Sequence, residues 1–235
     1  MPRPWQRWTR RSGANAAVPM RHQRSKVGDM FRLRGQFTCC SVVRLCRLAC
    51  VTSRPILFLT VGLPGVGKTT RAKELASSHR IVRLTPDEWM APLFGESNAD
   101  GRRDILEGRM IWVAHQVLLS GSGAILDFGC WSADERYAIR VIAEAAGAHF
   151  TLEFVHASED ERRRRATTRW RQAPETTFEM TDADHDRFLA SIELPSREEL
   201  DNGPIPSPPP GHNTWPAWAS WRWPTLPVIT FPADD

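Results

Sequence analysis

The chain has 235 residues, a length that allows one ordinary domain with or without tails. Its net charge of +4 is unevenly distributed, because residues 1–54 hold 12 basic residues and one acid whereas residues 55–202 hold 18 basic and 24 acidic residues. The excess of positive charge therefore belongs to the N-terminal segment and gives no support for nucleic-acid binding by the rest of the chain.

The N-terminal 54 residues are rich in arginine, and their one apolar stretch, CCSVVRLCRLACV, is interrupted by Arg44 and Arg47. The stretch is too short and too charged to span a bilayer, and it lacks the apolar core of a secretory signal. We expect a disordered extension, or a start codon assigned too far upstream; an organellar transit peptide is the alternative. Four of the five cysteines lie here, in a spacing that fits no zinc pattern well. The sequence therefore predicts no disulfide framework, no membrane association and a cytoplasmic location.

Between residues 55 and 202, apolar runs alternate with helical patterns. The runs ILFLTV, IVRLT, AILDF and HFTLEFV predict four buried strands, at 56–61, 81–85, 124–128 and 149–155. Helices are predicted at 68–78, 102–120, 132–146, 158–170 and 181–192. In the second of these we expect five apolar side chains to face inward: Ile105, Leu106, Ile111, Val113 and Val117. This order predicts an α/β domain with a mainly parallel sheet and right-handed crossovers.

The last segment, residues 203–235, contains nine of the 18 prolines and four of the ten tryptophans. Proline at this density predicts against a helix or a central strand. We therefore expect a disordered tail, with an edge strand at PVITF as a weaker alternative. The sequence thus predicts a basic extension at 1–54, one folded domain at 55–202 and a Pro/Trp-rich tail at 203–235.

The stretch GLPGVGKTT lies between the first strand and the first helix and matches the pattern G-x-x-x-x-G-K-[ST]. Glycines let backbone N–H groups surround a phosphate, and the helix N-terminus adds positive potential. Lys68 can reach the β- and γ-phosphates, and the Thr69 hydroxyl can bind Mg²⁺. No guanine-reading N/T-K-x-D motif is present, so ATP is expected rather than GTP. The residues predicted to contact the nucleotide are Gly62, Leu63, Pro64, Gly65, Val66, Gly67, Lys68, Thr69 and Thr70.

Two aspartates follow strands at the edge of the sheet where ligands bind. Asp87, in TPDEWM, is placed to orient an acceptor hydroxyl and take its proton; the alternative is an N-cap for a short helix. Asp127, at the end of AILDF, can hold a magnesium ion through its water, or a substrate hydroxyl; the alternative is a solvated acid at a strand end. The next three residues, Phe128, Gly129 and Cys130, include no acid or glutamine to activate water, which favours a kinase over an ATPase motor.

The segment ERRRRATTRWR holds six arginines in eleven residues. Arg165 and Arg169 are four residues apart and share a helical face. They can form a lid that neutralises charge in the transition state; the alternative is a solvated basic face paired with Glu159 and Glu161.

Several of these motifs together resemble small AAA-type P-loop kinases related to zeta toxins, chloramphenicol phosphotransferase and the kinase domain of polynucleotide kinase. The resemblance covers about residues 55–202 and rests on GLPGVGKTTRAKELA, TPDEW, LEGRMIWVAHQVLLSGSGAILDFGCWSADER and the arginine-rich segment with TTFEMT and ELPSREEL. It implies a nucleoside-monophosphate-kinase-like sheet, ATP and Mg²⁺, and a base at Asp87. It also matches the strand-end acid to Asp127, a following arginine to Arg136, and the lid arginines to Arg165 and Arg169.

Three functions remain open on the sequence. The first is a kinase that phosphorylates a hydroxyl of a small molecule. The second is a kinase acting on the 5′ end of a nucleic acid, which the acidic charge of residues 55–202 disfavours. The third is a switch that binds ATP without transferring phosphate. The acceptor and the oligomeric state are not predicted.

Overall fold

The structure is a computed structural model, and it describes residues 54–95, 101–173, 177 and 179–229. The predicted extension, apart from Arg54, lies outside the described residues. So do the last six residues of the predicted tail. No helix among the described residues is long and apolar enough to cross a membrane.

Four strands form one parallel sheet with the order β2-β3-β1-β4. Their bounds are β1 Ile56–Val61, β2 Val82–Leu84, β3 Ala124–Leu126 and β4 His149–Phe154. The central strand, β1, is the one that leads into the glycine-rich loop. β3 pairs directly with β1, with Leu59 opposite Leu126, so the residue after each strand emerges at the same edge of the sheet.

Eight helices are described, and the first four are α1 Lys68–His79, α2 Pro86–Phe94, α3 Arg102–Leu119 and α4 Ala133–Ala145. The other four are α5 Glu159–Gln172, α6 Asp182–Ser191, α7 Arg197–Leu200 and α8 Trp215–Arg222. Three of the predicted helices, those expected to start at Ser132, Ser158 and Thr181, are capped by the hydroxyls of these residues, each of which accepts from a backbone N–H three residues later.

Side chains of the sheet point alternately to two apolar layers. Phe58 and Ile125 pack against Ala72 and Leu75 of α1 on one face. The opposite face packs against α3 and α4, and α8 packs in turn on α4, in one apolar cluster that includes Leu59, Leu126, Met110, Ile139 and Trp218. Burial on both faces explains the continuous apolar runs. The predicted three-layer α/β/α fold with a parallel sheet is confirmed.

The buried face of α3 differs from the predicted one. Leu106 and Ile111 are buried as expected, but Ile105 is 42% exposed and Val113 is 36% exposed. Glu107, a charged residue, is buried in their place. The spacing of apolar residues did not predict the buried face of α3 correctly, because one of the residues that faces the core, Glu107, is charged.

The prediction of a helix-free, disordered tail is wrong for residues 203–229. α8 forms there, and Trp215, Trp218 and Trp223 are each at most 6% exposed. Pro216 lies in the first turn, where a missing N–H costs little, and the next proline follows only after the helix has ended. The helix packs on α4, so residue 202 does not end the folded unit.

Candidate functional site

The loop between β1 and α1 depends on three glycines with positive φ. Gly62, Gly65 and Gly67 have φ of 147°, 85° and 104°. A Cβ on Gly62 would lie 2.3 Å from the carbonyl oxygen of Val155, and one on Gly65 would lie 2.5 Å from that of Arg162. The loop is therefore pressed against the end of β4 and the first turn of α5, and only glycine fits at both positions.

The N-terminus of α1 is open toward this loop. Its N-cap is Gly67, and no side chain caps the first turn. The first N–H groups of a helix lack intrahelical acceptors and carry partial positive charge. The loop and the helix end together form a concave set of backbone donors suited to a phosphate group.

Lys68, the first residue of α1, bends back so that its Nζ donates to the carbonyl oxygen of Leu63 at 2.9 Å. Desolvation lowers the pKa of Lys68 to about 8, and nearby carboxylates only partly oppose this effect. The charged groups close enough to influence its pKa are Asp127, Asp87, Arg103 and Arg169. An anion bound beside Nζ would therefore stabilise the protonated, charged form of this lysine.

Asp127 follows β3 and is 5% exposed, so the alternative of a solvated strand-end acid is wrong. Its Oδ1 accepts from the Thr60 hydroxyl at 2.9 Å, and its Oδ2 accepts from Arg83 Nη1 at 2.9 Å. A carboxylate has about four lone-pair sites, so each oxygen can still accept one further hydrogen bond. These two bonds fix the orientation of the Asp127 carboxylate near the end of β1, where the glycine-rich loop begins.

Asp87 lies in the first turn of α2, whose N-cap is Thr85, so the alternative of an N-cap role for Asp87 is wrong. Its side chain is half-exposed, and its Oδ1 accepts from Arg103 Nη1 at 3.0 Å. Arg103, in the first turn of α3, also donates through Nε to Glu107 at 2.9 Å. The aspartate is thus oriented by a guanidinium group that is itself anchored to a buried carboxylate.

The four consecutive arginines of α5 have different environments. Arg162 is 1% exposed and binds Glu159 and the Nδ1 of His185, the latter at 2.8 Å. Arg163 pairs with Asp182 and Asp186 at 2.6 and 2.5 Å. The guanidinium groups of these two arginines join α5 to α6, whereas the backbone and Cγ of Arg162 lie against Gly65 of the loop.

Arg165 and Arg169 lie on the side of α5 that borders the loop. Arg165 Nη1 donates to the carbonyl oxygen of Val66 at 3.2 Å, and its Nε donates to Glu161 at 2.5 Å. A groove of about 360 Å³ is lined by Arg164, Arg165, Thr168, Arg169 and Gln172. The structure thus brings the two predicted lid arginines together, next to the loop.

Sequence reasoning missed several members of the site, and it gave Arg136 no structural role. Arg136 is 1% exposed and forms a bidentate pair with Glu199 at 2.8 and 3.0 Å, so it fastens α4 to α7. The missed residues are Arg83, Arg103, Glu107 and Trp223. The i, i+4 spacing of an arginine and a glutamate on α3 was the one available signal for the second and third of these.

A buried parallel strand, a glycine-rich loop and a helix that begins with Lys-Thr define the class of P-loop nucleotide-binding domains. The profile of one family, described as AAA domain, matches residues 57–195, which is more than half of the chain. The chain belongs to this family. The resemblance to AAA-type P-loop proteins is therefore confirmed for family and fold.

Three solved structures are similar to this chain at low sequence identity, and the first of them, with a TM-score above 0.5, supports the same fold. A chain of the Pnkp1/Rnl/Hen1 RNA repair complex is 16% identical with a TM-score of 0.51, over 64% of this chain and 47% of that one. The Mycobacterium tuberculosis APS kinase CysC, in complex with AMPPNP and APS, is 18% identical with a TM-score of 0.47, over 61% and 85%. Kti12 from Chaetomium thermophilum, in complex with ADP-AlF3, is 15% identical with a TM-score of 0.45, over 60% and 82%. A comparison with curated proteins finds no match.

Proposed function

We propose that this protein is an ATP-dependent phosphotransferase that moves the γ-phosphate of ATP to a hydroxyl group of a small molecule. The observation that carries the proposal is the environment of Lys68. A desolvated lysine at an open helix N-terminus lies within electrostatic reach of two carboxylates and two guanidinium groups, which come from four different parts of the fold. Phosphoryl transfer needs this combination of fixed positive charge and a nearby base.

The nucleotide phosphates would occupy the concave loop, with Lys68 moving from Leu63 to the β- and γ-phosphate oxygens. Arg165 and Arg169 would face the γ-phosphate from the other side and neutralise charge there. The donor set also fits a magnesium ion, because the Thr69 hydroxyl stands at the first turn of α1 and Asp127 keeps a free lone pair on each oxygen. Such an ion, when bound, would neutralise phosphate charge.

Asp87 would serve as the base. Among the described residues its Oδ1 is held by Arg103, which leaves Oδ2 for an acceptor hydroxyl. The acceptor oxygen forms a bond to the γ-phosphorus, the bond from that phosphorus to the ADP oxygen breaks, and the hydroxyl proton passes to Asp87.

The test follows the γ-phosphate. The protein is incubated with γ-labelled ATP, Mg²⁺, a 5′-hydroxyl oligonucleotide and a metabolite extract. Label is expected on a small organic acceptor, and Asp87→Asn is expected to lower transfer by roughly 10²-fold or more with ATP binding retained. Glu198→Gln, which changes an exposed acid on α7, is the matched control.

Three results would contradict the proposal. Full transfer by Asp87→Asn would show that this residue is not the base. Label on the oligonucleotide would move the function to a polynucleotide kinase. Label found only as free phosphate, for all acceptors supplied, would favour a nucleotide-driven switch.

A further inference from the structure

A chain of hydrogen bonds links the C-terminal segment to the candidate base. Trp223 Nε1 donates to Glu107 Oε2 at 3.2 Å, and Glu107 Oε1 accepts from Arg103 Nε at 2.9 Å. Arg103 Nη1 then donates to Asp87 Oδ1 at 3.0 Å. The two ends of this chain are separated by more than 130 positions in the sequence.

The carboxylate in the middle of the chain is buried. Glu107 is 7% exposed, and desolvation raises its pKa while Arg103 and the Trp223 indole act in the opposite direction. A buried carboxylate needs donors for both oxygens, because an unpaired one is costly. Trp223 therefore supplies a donor that favours the ionised form of Glu107, the form that holds Arg103.

Residues 222–226, which we call the C-terminal clamp, are fastened to the N-terminal half of α3. Arg222 pairs with Asp104 at 2.9 Å, and the Thr225 hydroxyl donates to the carbonyl oxygen of Ile105. A Cβ on Gly108 would lie 2.5 Å from Thr225 Oγ1 and 3.1 Å from Trp223 Cβ. The clamp thus contacts α3 along the same two turns that carry Arg103 and Glu107.

We propose that the C-terminal clamp is a positioning device for phosphoryl transfer, in which Trp223, through Glu107 and Arg103, sets the orientation of the Asp87 carboxylate. The proposal rests on the proposed function, since it assigns Asp87 as the base. In this proposal Trp223, Glu107 and Arg103 act through the Asp87 carboxylate. The clamp makes the geometry of the site depend on whether the last part of the chain is docked.

The kinetic test uses Trp223→Phe in the full chain, because phenylalanine keeps most of the ring and removes only the N–H donor. Loss of one hydrogen bond to a carboxylate is expected to lower kcat by roughly 3- to 20-fold, with the KM for ATP unchanged. Arg103→Lys is expected to lower kcat further, because lysine cannot hold both carboxylates with a planar fork. Trp221→Phe, in the same segment but 51% exposed, is the matched control.

A double variant separates positioning from a general effect on folding. Trp223→Phe is expected to cause no further loss when added to Asp87→Asn, because the group that it positions is already gone. The proposal fails if Trp223→Phe keeps the kcat of the unmodified protein. It also fails if that substitution lowers kcat by the same factor in the Asp87→Asn background, or if it acts on the KM for ATP alone.

A second readout does not depend on activity. The indole N–H proton resonance of Trp223 is assigned by its loss in Trp223→Phe and then followed in Arg103→Lys and Asp87→Asn. We expect it to shift in both. An unchanged resonance would overturn the proposal even if transfer is observed. A shifted resonance without transfer to any acceptor would support the link to Asp87 and contradict the proposed function instead.

Discussion

ATP binding should be accompanied by proton uptake at Lys68. Desolvation holds the pKa of this residue at about 8 in the free protein. Phosphate oxygens placed against its Nζ favour the charged form and raise the pKa. The bound state therefore keeps a proton that the free state has begun to lose, so we expect proton uptake that grows as the pH rises through about 8.

The expected number of protons taken up follows from the Lys68 pKa of about 8. Near pH 6.5 the lysine is protonated in both states and uptake is near zero. At about pH 8 roughly half a proton is taken up for each ATP, and at about pH 9 roughly 0.9. The apparent dissociation constant should rise about tenfold between pH 7 and pH 9 by the same linkage.

Calorimetry in two buffers with different ionisation enthalpies measures this uptake directly. The difference in apparent binding enthalpy, divided by the difference in ionisation enthalpy, is the number of protons bound. At pH 8 and above the phosphates of ATP are already fully ionised and do not contribute. Lys68→Arg is the control, because a guanidinium group stays charged across this range and should abolish the uptake.

Two results would refute the reasoning. Equal enthalpies in both buffers at about pH 9 would mean that Lys68 does not change protonation on binding. Uptake of the same size in Lys68→Arg would assign the proton to another group. If the arginine variant binds too weakly for calorimetry, a dissociation constant that stays flat between pH 7 and pH 9 would contradict the prediction equally well.

Three further predictions concern the loop, α6 and the tail. Gly65→Ala should weaken ATP binding by at least about tenfold, since a Cβ cannot fit 2.5 Å from the Arg162 carbonyl oxygen; titration with a fluorescent ATP analogue measures it. Burial and then Arg162 lower the pKa of His185, so the fold binds this proton less readily than the unfolded chain, which takes it up below about pH 6.5. Stability should therefore fall as the pH drops below that value, and urea midpoints of the unmodified protein and His185→Gln at pH 7 and 5.5 test this. Trp218→Ala should lower the free energy of unfolding by about 3–5 kcal/mol and Trp221→Ala by less than about 1 kcal/mol, as measured by chemical denaturation, because only the first ring is buried.

Each of these has a result that would contradict it. Gly121 has φ of 84° with open space around it, so Gly121→Ala carries backbone strain without the clash. Equal ATP affinity in Gly65→Ala and Gly121→Ala would show that the loop does not need the close approach. An acid-induced loss of stability of the same size in His185→Gln would exclude His185 as its source. Equal costs for the two tryptophan variants would mean that α8 does not pack as described.

Local signals in the sequence were sufficient for the phosphate-binding half of the site. The apolar run at 56–61 and the motif that follows it specify strand, loop and helix through neighbouring residues alone. The caps at Ser132, Ser158 and Thr181 were predictable for the same reason, since each depends on a residue three positions away. Each of these features is determined by residues that lie close together in the sequence.

Features that depend on distant residues were not predictable. Asp127 lies 44 positions from Arg83, and Glu107 lies 116 positions from Trp223. The sequence spacing of the two residues in each pair does not show that they contact each other, and each could equally be a solvated side chain. The tail was misjudged because its proline content was averaged over the whole segment. Helix formation needs only the proline-free residues between Pro216 and Pro224, and burial of Trp215 and Trp218 stabilises the helix.

The arginine-rich helix shows how a composition signal divides between structure and function. Successive residues on an α-helix are rotated by about 100°, so four consecutive arginines cannot share one face. Arg162 and Arg163 turn toward α6, where carboxylates and His185 hold them, and Arg165 turns toward the loop together with Arg169. Because the first pair fixes α5 against α6, the second pair is carried on a rigid support beside the phosphate loop. Charge reversal in the first pair should therefore disturb ATP binding indirectly and with a loss of stability, whereas changes at Arg165 or Arg169 should affect transfer with stability unchanged.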